Sequence, residues 1–217
     1  MNPTIAICLP CGSGWLHRNT VAALFELKIW LLKVGAPHSV LFHGGSHVDR
    51  VRNELSAKAM ATGADYLLWV DSDVGGGITQ FVKRALGRCY KFASAAYPTK
   101  EDNGRLNVSC LPGETTGDDG YLSVMETGGG CMLIHRSVFT ALQTDERRYD
   151  GHENTPVDGP LYDYWSSGLQ TDSDRRRRFI SEDYAFCRAA RHAGFKIMLD
   201  TTIELCHTGE KTWTAYN

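Results

Sequence analysis

Short apolar runs alternate with helix-period segments through the first hundred residues of this chain, and no other feature restricts its fold as much. Thr4–Leu9 is β-rich and ends in the small-residue loop Pro10-Cys11-Gly12-Ser13-Gly14. Residues 17–34 place Val21, Leu24, Phe25, Ile29, Leu31 and Leu32 at helical spacing, and Gly35 and Pro37 stop the helix. Ser39–His43 is a second strand. Ser46–Thr62 is a second helix closed by Gly63, and residues 66–70 form a third strand. The order β-α-β-α-β at this spacing predicts an α/β chain with a Rossmann-like half, a largely parallel central sheet and right-handed crossovers.

Beyond that half the signals thin out. Ile78–Arg88 reads as a helix and Phe92–Ala96 as a short strand ending at Tyr97-Pro98. Residues 99–120 are polar loop, and the strands Tyr121–Met125 and Cys131–Ile134 bracket Gly128-Gly129-Gly130. Residues 144–178 lack periodicity, and a loop of that length in a compact chain is usually functional or disordered. A helix at 182–193, a strand at 195–199 and a strand at about 202–206 leading into His207 complete the reading.

Composition excludes several classes. The 217 residues suit one compact α/β domain, or one with a small appendage, and 42% hydrophobic content supplies a core. With 23 basic and 25 acidic residues the formal charge is −2, so the whole molecule does not attract nucleic acid or acidic membranes. Residues 1–12 lack the basic start, apolar core and cleavage site of a secretory leader, and no run nears the ~18 apolar residues that span a bilayer. The seven cysteines are scattered and odd in number, as expected for reduced thiols in the cytoplasm. Cys8-x-x-Cys11 has no second pair to complete a zinc cage, and Cys8 falls inside a predicted strand.

Three motifs carry chemistry. The apolar run Tyr66-Leu67-Leu68-Trp69-Val70 stops at Asp71-Ser72-Asp73. Ligands in open α/β sheets bind beyond the carboxyl ends of strands. Two hard oxygen donors there suit Mg²⁺ or Mn²⁺, although Asp and Gly are also ordinary turn residues. Ser181-Glu182-Asp183 opens a helix, either as an N-cap with dipole-stabilising acids or as the seat of a general base. His207-Thr208-Gly209 follows a strand, and histidine is the commonest nitrogen ligand for metals.

Together these motifs resemble the D-x-D, E-D and H-x-G elements of GT-A fold glycosyltransferases, most of all the small single-domain enzymes of viral and bacterial type. The resemblance extends to Arg52-Asn53, Tyr97-Pro98-Thr99-Lys100 and Thr127-Gly128-Gly129. It implies one domain over 1–217, with a nucleotide-binding half at about 1–100 and an acceptor-binding half at about 101–217. It also implies a nucleoside-diphosphate sugar donor, with a UDP-sugar expected, and Mn²⁺ or Mg²⁺ as cofactor. Pro10 and Gly12 would line the nucleotide pocket, with Arg52, Asp71, Ser72, Lys100 and Gly129 at the donor. Asp73 and His207 would ligate the metal, and Asp71 would hold the ribose or reach the metal through water. Asp183 would be the base that takes the acceptor proton in an inverting attack, with Glu182 as runner-up. The glycines Gly75-Gly76-Gly77 depart from the bulkier residues expected after D-x-D.

The acceptor is open between a glycan, a protein and a hydroxymethylated DNA base. Arg175–Arg178 is a basic run suited to an anionic acceptor or to a solvated face, and Tyr162, Tyr164 and Trp165 suit base stacking or loop packing. The alternatives to glycosyl transfer are nucleotidyl transfer, which wants a cationic glycine loop that residues 11–16 lack, and a nucleotide-sugar-binding module without catalysis.

Overall fold

The computed structural model describes residues 2–12, 14–151, 155, 157, 159–171, 176–209 and 212–214. Its first half runs β1 (Ile5–Pro10), α1 (Arg18–Val34), β2 (His38–His43), α2 (Val48–Ala61), β3 (Tyr66–Val70), β4 (Val74–Gly76), α3 (Ile78–Arg88) and β5 (Phe92–Ala95). There follow β6 (Val108–Cys110), β7 (Tyr121–Thr127), β8 (Cys131–His135) and α4 (Arg136–Ala141). After a 3₁₀ turn at Asp145–Arg147 come β9 (Arg148–Tyr149), β10 (Leu161–Tyr162), β11 (Gly168–Thr171) and β12 (Arg177–Ile180). The chain then passes through α5 (Glu182–His192), β13 (Ile197–Asp200), β14 (Leu205–Thr208) and β15 (Thr212–Thr214).

Eight strands form one sheet in the order β2-β1-β3-β8-β5-β13-β7-β6. Every residue of β1 and β3 is buried, as expected of strands covered by helices on both faces. Side chains alternate across the sheet, so Ile5, Ile7, Leu9, Leu68 and Val70 meet α1 and α3 through Leu27, Leu31, Phe81 and Val82. Ala6, Cys8, Leu67 and Trp69 meet α2, α4 and α5 through Leu55, Ala59, Phe139 and Phe186 on the other face.

The mixed α/β, Rossmann-type reading holds, with a sheet that is mixed where a largely parallel one was expected. Parallel pairing joins β2, β1 and β3, and again β5 and β13. The remaining joints of the sheet are antiparallel, because β8 inserts between β3 and β5, and β7 and β6 extend the far edge. The segment 144–178 is not a bare loop. It contributes two antiparallel ladders, β9 with β10 and β11 with β12, whose two- to four-residue strands are too short to show a period in sequence. Tyr164 and Trp165 are core residues, with Trp165 stacked on Phe186 at 4.1 Å. Within the basic run, Arg175 lies outside the described residues, and Arg177 and Arg178 are exposed on β12.

Candidate functional site

The carboxyl end of β3 is pinned by the backbone and side chains around it. The Ser72 carbonyl accepts from the His17 amide at 2.8 Å and the Thr20 hydroxyl at 3.1 Å, tying the Asp71–Asp73 turn to the start of α1. A small antiparallel sheet then brings in a distant strand. In it β4 pairs with β14, setting Val74 opposite His207 and Gly75 opposite Cys206, and the Thr208 amide donates to the Asp73 carbonyl at 2.8 Å.

The glycines of 75–77 make that approach possible. A Cβ on Gly75 would lie 2.6 Å from the Asn19 carbonyl oxygen, and Gly76 has φ of +98° with the Glu204 carbonyl 2.9 Å from any Cβ. Gly75→Ala is therefore expected to destabilise the fold by about 1–3 kcal/mol, because backbone and not a flexible side chain must give way. Gly87→Ala, in α3 with open space around it, should instead be neutral or stabilising by up to about 1 kcal/mol. Chemical denaturation of the two variants checks the contrast.

Asp73 Oδ2 accepts from Lys100 Nζ at 2.6 Å, and Asp73 Oδ1 faces His207 Nε2 at 3.4 Å. Burial works to raise the Asp73 carboxyl, but hydrogen bonds from His207 and Lys100 outweigh it and hold the pKa at about 2. His207 Nδ1 lies 2.9 Å from the Pro98 carbonyl, which can only accept, so this nitrogen carries a proton and donates it. Protonated, the imidazole donates through Nε2 to Asp73 and so holds its pKa down; neutral, it aims its Nε2 lone pair at a carboxylate oxygen, an arrangement that favours a cation between the two. A backbone acceptor orienting the second ring nitrogen is the usual support of a metal-binding histidine. Among the described residues no group of three His, Cys, Asp or Glu side chains converges on a metal position. Two protein ligands nonetheless suit a hard cation that takes its other ligands from phosphate and water. The residues present thus fit Mg²⁺ or Mn²⁺ held together with a phosphorylated ligand.

Beneath the turn lies Arg52, 2% exposed. Its guanidinium sits 5.6 Å from the Trp69 ring and 5.2 Å from the Trp165 ring. Arg52 Nη2 donates to Asp71 Oδ1 at 2.7 Å and Nε to Glu182 Oε1 at 3.2 Å, while the buried Nη1 has no partner among the described residues. Burial acts hardest against its charge, but Asp71 and Glu182 more than reverse that and keep it protonated. Gly129 makes room for it, since a Cβ there would lie 2.7 Å from Nη2.

The two acids of α5 differ sharply. Asp183 Oδ1 accepts from the Ser181 hydroxyl and, at 2.8 Å, from the Tyr184 amide, and Oδ2 accepts from the Gly129 amide at 3.1 Å. Its lone pairs are largely committed. The Glu182 carboxyl meets Arg52 and its own backbone amide. Burial raises its pKa above the ordinary glutamate range, Arg52 opposes the rise, and Asp183 adds to it.

A cavity of about 320 Å³ opens at this point, and its walls include Pro10, Gly12, Arg52, Asp71, Ser72, Asp73, Glu182 and Asp183. The structure thus brings together eight residues that sequence reading placed at a site. Lys100, His207 and Gly129 lie off the cavity, each bonded to one of its walls: the first two to Asp73, the third to Asp183. Gly45, Ser46, Val48 and Val51 complete the lining, and no motif announced them. A hollow of about 600 Å³ between α2 and the described residues of 146–151 and 161–166 contains none of the residues expected to hold donor or metal or to act as base, though Trp165 lines it.

No protein-family model matches the chain, and no curated protein matches it by sequence. Solved structures do match it in fold. The A197 protein from STIV is 16% identical with a TM-score of 0.53, over 96% of this chain and 86% of that one. GalNAc-T7, crystallised with UDP, GalNAc and Mn²⁺, is 11% identical with a TM-score of 0.57, over 95% of this chain and 44% of that one. At these identities the likeness is one of fold, a GT-A-like mixed α/β architecture, and this chain spans less than half of the GalNAc-T7 chain.

Proposed function

We propose that residues 1–217 form one catalytic domain, a metal-dependent glycosyltransferase that moves a sugar from a UDP-linked donor to an acceptor hydroxyl with inversion. The observation that carries this reading is the Asp73–His207 pair, facing each other at 3.4 Å beside a cavity that also exposes Glu182. Asp73 and His207 would hold the cation, with Asp71 reaching it through water, and the bound cation would neutralise charge on the departing diphosphate. Lys100, now on Asp73, is placed to exchange that carboxylate for a phosphate oxygen. Arg52, which lines the cavity, is a second cationic side chain beside it.

We assign the base to Glu182 in place of Asp183. A base needs a free lone pair and a raised pKa, which Glu182 has, and Asp183 spends its oxygens on Ser181, Gly129 and Tyr184. In the reaction Glu182 takes the acceptor hydroxyl proton, the acceptor oxygen bonds to the anomeric carbon, and the bond from that carbon to the diphosphate oxygen breaks. Nucleotidyl transfer is the weaker reading, because residues 11–16 supply no lysine or arginine to a glycine loop. Intact Asp71, Asp73, Glu182 and His207 favour turnover over a binding module.

The test is thermal unfolding against nucleoside diphosphates with Mn²⁺. A ligand at 100-fold its Kd adds about 2.7 kcal/mol, or a rise of about 5–10 °C in a domain of this size. UDP with Mn²⁺ is expected to give that rise and chelation to remove it. Stabilisation by no nucleoside diphosphate would defeat the proposal. Assays with glycan, peptide and hydroxymethylated DNA acceptors then separate the acceptor classes.

A further inference from the structure

We propose that the outer face of α1 is a self-association surface, on which a second copy of this chain docks with its own α1 antiparallel. The helix turns Ala23, Leu27 and Leu31 into the core. Directly opposite, at the coiled-coil spacing i, i+4, i+7, Phe25, Ile29 and Leu32 are 64%, 65% and 64% exposed. Three large apolar side chains in one row on a solvent-facing helix are not scattered surface residues but a continuous strip. The apolar area continues past the helix. Leu41 of β2 packs on the α2 side of the sheet, so by alternation Val40 and Phe42 face the α1 side. Both are exposed there, on a strand that ends the sheet order. Trp30 leans to the α3 side of the helix, where it meets Lys83, which turns the flank bearing Phe25 and Leu32 toward β2.

Charge identifies the occupant. Glu26 and Lys33 are exposed seven positions apart along one flank of the strip. In a parallel copy the two-fold axis runs along the helices and sets this flank against the opposite one, where the exposed Lys28 would meet Lys33 of the second copy. An antiparallel copy centred between Ile29 and Leu32 sets Ile29 against Leu32 of the second copy and Glu26 against its Lys33. A two-fold axis makes each contact twice, as in an isologous dimer. Phe25 then reaches past the end of the facing helix toward the start of β2.

Sedimentation velocity over a concentration series tests this, with Ile29→Glu, Glu26→Lys, Lys33→Glu and the double charge exchange. All these side chains are exposed, so at concentrations low enough for the wild type to be monomeric the unfolding midpoints should match. The expected result is a wild-type dimer, a monomeric Ile29→Glu, and a rise of about tenfold or more in dimer Kd for each single charge reversal. The double exchange should restore the wild-type Kd. A wild-type monomer at about 100 μM would overturn the proposal, since a functional dimer is populated well above its Kd. So would a dimer indifferent to Ile29→Glu, or a double exchange no better than the singles. Binding of a wild-type monomer to phosphatidylcholine–phosphatidylserine vesicles, lost in Ile29→Glu, would reassign the strip to a membrane surface.

Discussion

Glu182→Gln is expected to lower turnover by about 10²–10⁴-fold, the usual contribution of a positioned base, with donor affinity nearly unchanged. The amide keeps the size of the side chain and can still accept from Arg52 through its carbonyl, so the cavity wall survives while the proton acceptor is gone. Asp183→Asn should behave differently. It replaces one oxygen of a carboxylate that accepts from Ser181, Tyr184 and Gly129, so an N–H group must face one of those donors. A buried hydrogen-bond donor left without a partner costs about 1–3 kcal/mol, and the lost thermal stability marks this variant as structural. The pH profile adds an independent readout. Glu182 must be deprotonated to act, so kcat falls on the acid side, and burial places the midpoint of that limb above the ordinary glutamate range. Asp73, held at about 2, stays ionised across that window. An Asp183→Asn enzyme with native stability and no turnover, beside an active Glu182→Gln, would return the base to Asp183.

How much of this was legible in the sequence depends on range. The bounds of β3 and α3 could be read directly, because a five-residue apolar run ending in acids and an eleven-residue amphipathic stretch are local signals. Strand direction was not legible. β8 enters antiparallel between β3 and β5, which depends on the path taken by residues 96–130 and on no property of Cys131–His135 itself. Eight residues singled out in the sequence line one cavity, but the contacts each makes there could not be read. Arginine is rarely fully buried, and nothing local to Arg52 shows that Trp69 and Trp165 will enclose it. Gly129, read as a contact to the donor, uses its amide for Asp183 and its missing Cβ for Arg52. The glycines after Asp73, which looked like a departure in the sugar pocket, are where β4 meets Asn19 and the backbone at Glu204.

Asp73→Ala and His207→Ala are each expected to abolish the Mn²⁺-dependent part of nucleotide binding, so that UDP shifts the unfolding midpoint equally with metal and with chelator. Their effects without metal should differ. Asp73 is the carboxylate on which Lys100 and His207 converge, and its pKa is depressed in the folded state. A depressed carboxyl pKa stabilises the fold above the unfolded value, and that stability is lost as pH falls toward 2. Lys100 is partly exposed, so screening reduces the contribution to about 1–2 kcal/mol. Asp73→Ala should therefore lower stability at pH 7 and flatten its decline between about pH 4 and 2. It should also free Lys100, leaving the nucleotide some affinity with no metal present. His207→Ala removes one hydrogen-bond donor to Asp73 but leaves the Lys100 contact in place, so its cost at pH 7 should be smaller than that of Asp73→Ala. Measuring both variants with UDP, with and without Mn²⁺, separates a ligand pair from a plain ion pair. If the metal-dependent shift survives in full in either variant, Asp73 and His207 are not holding the cation.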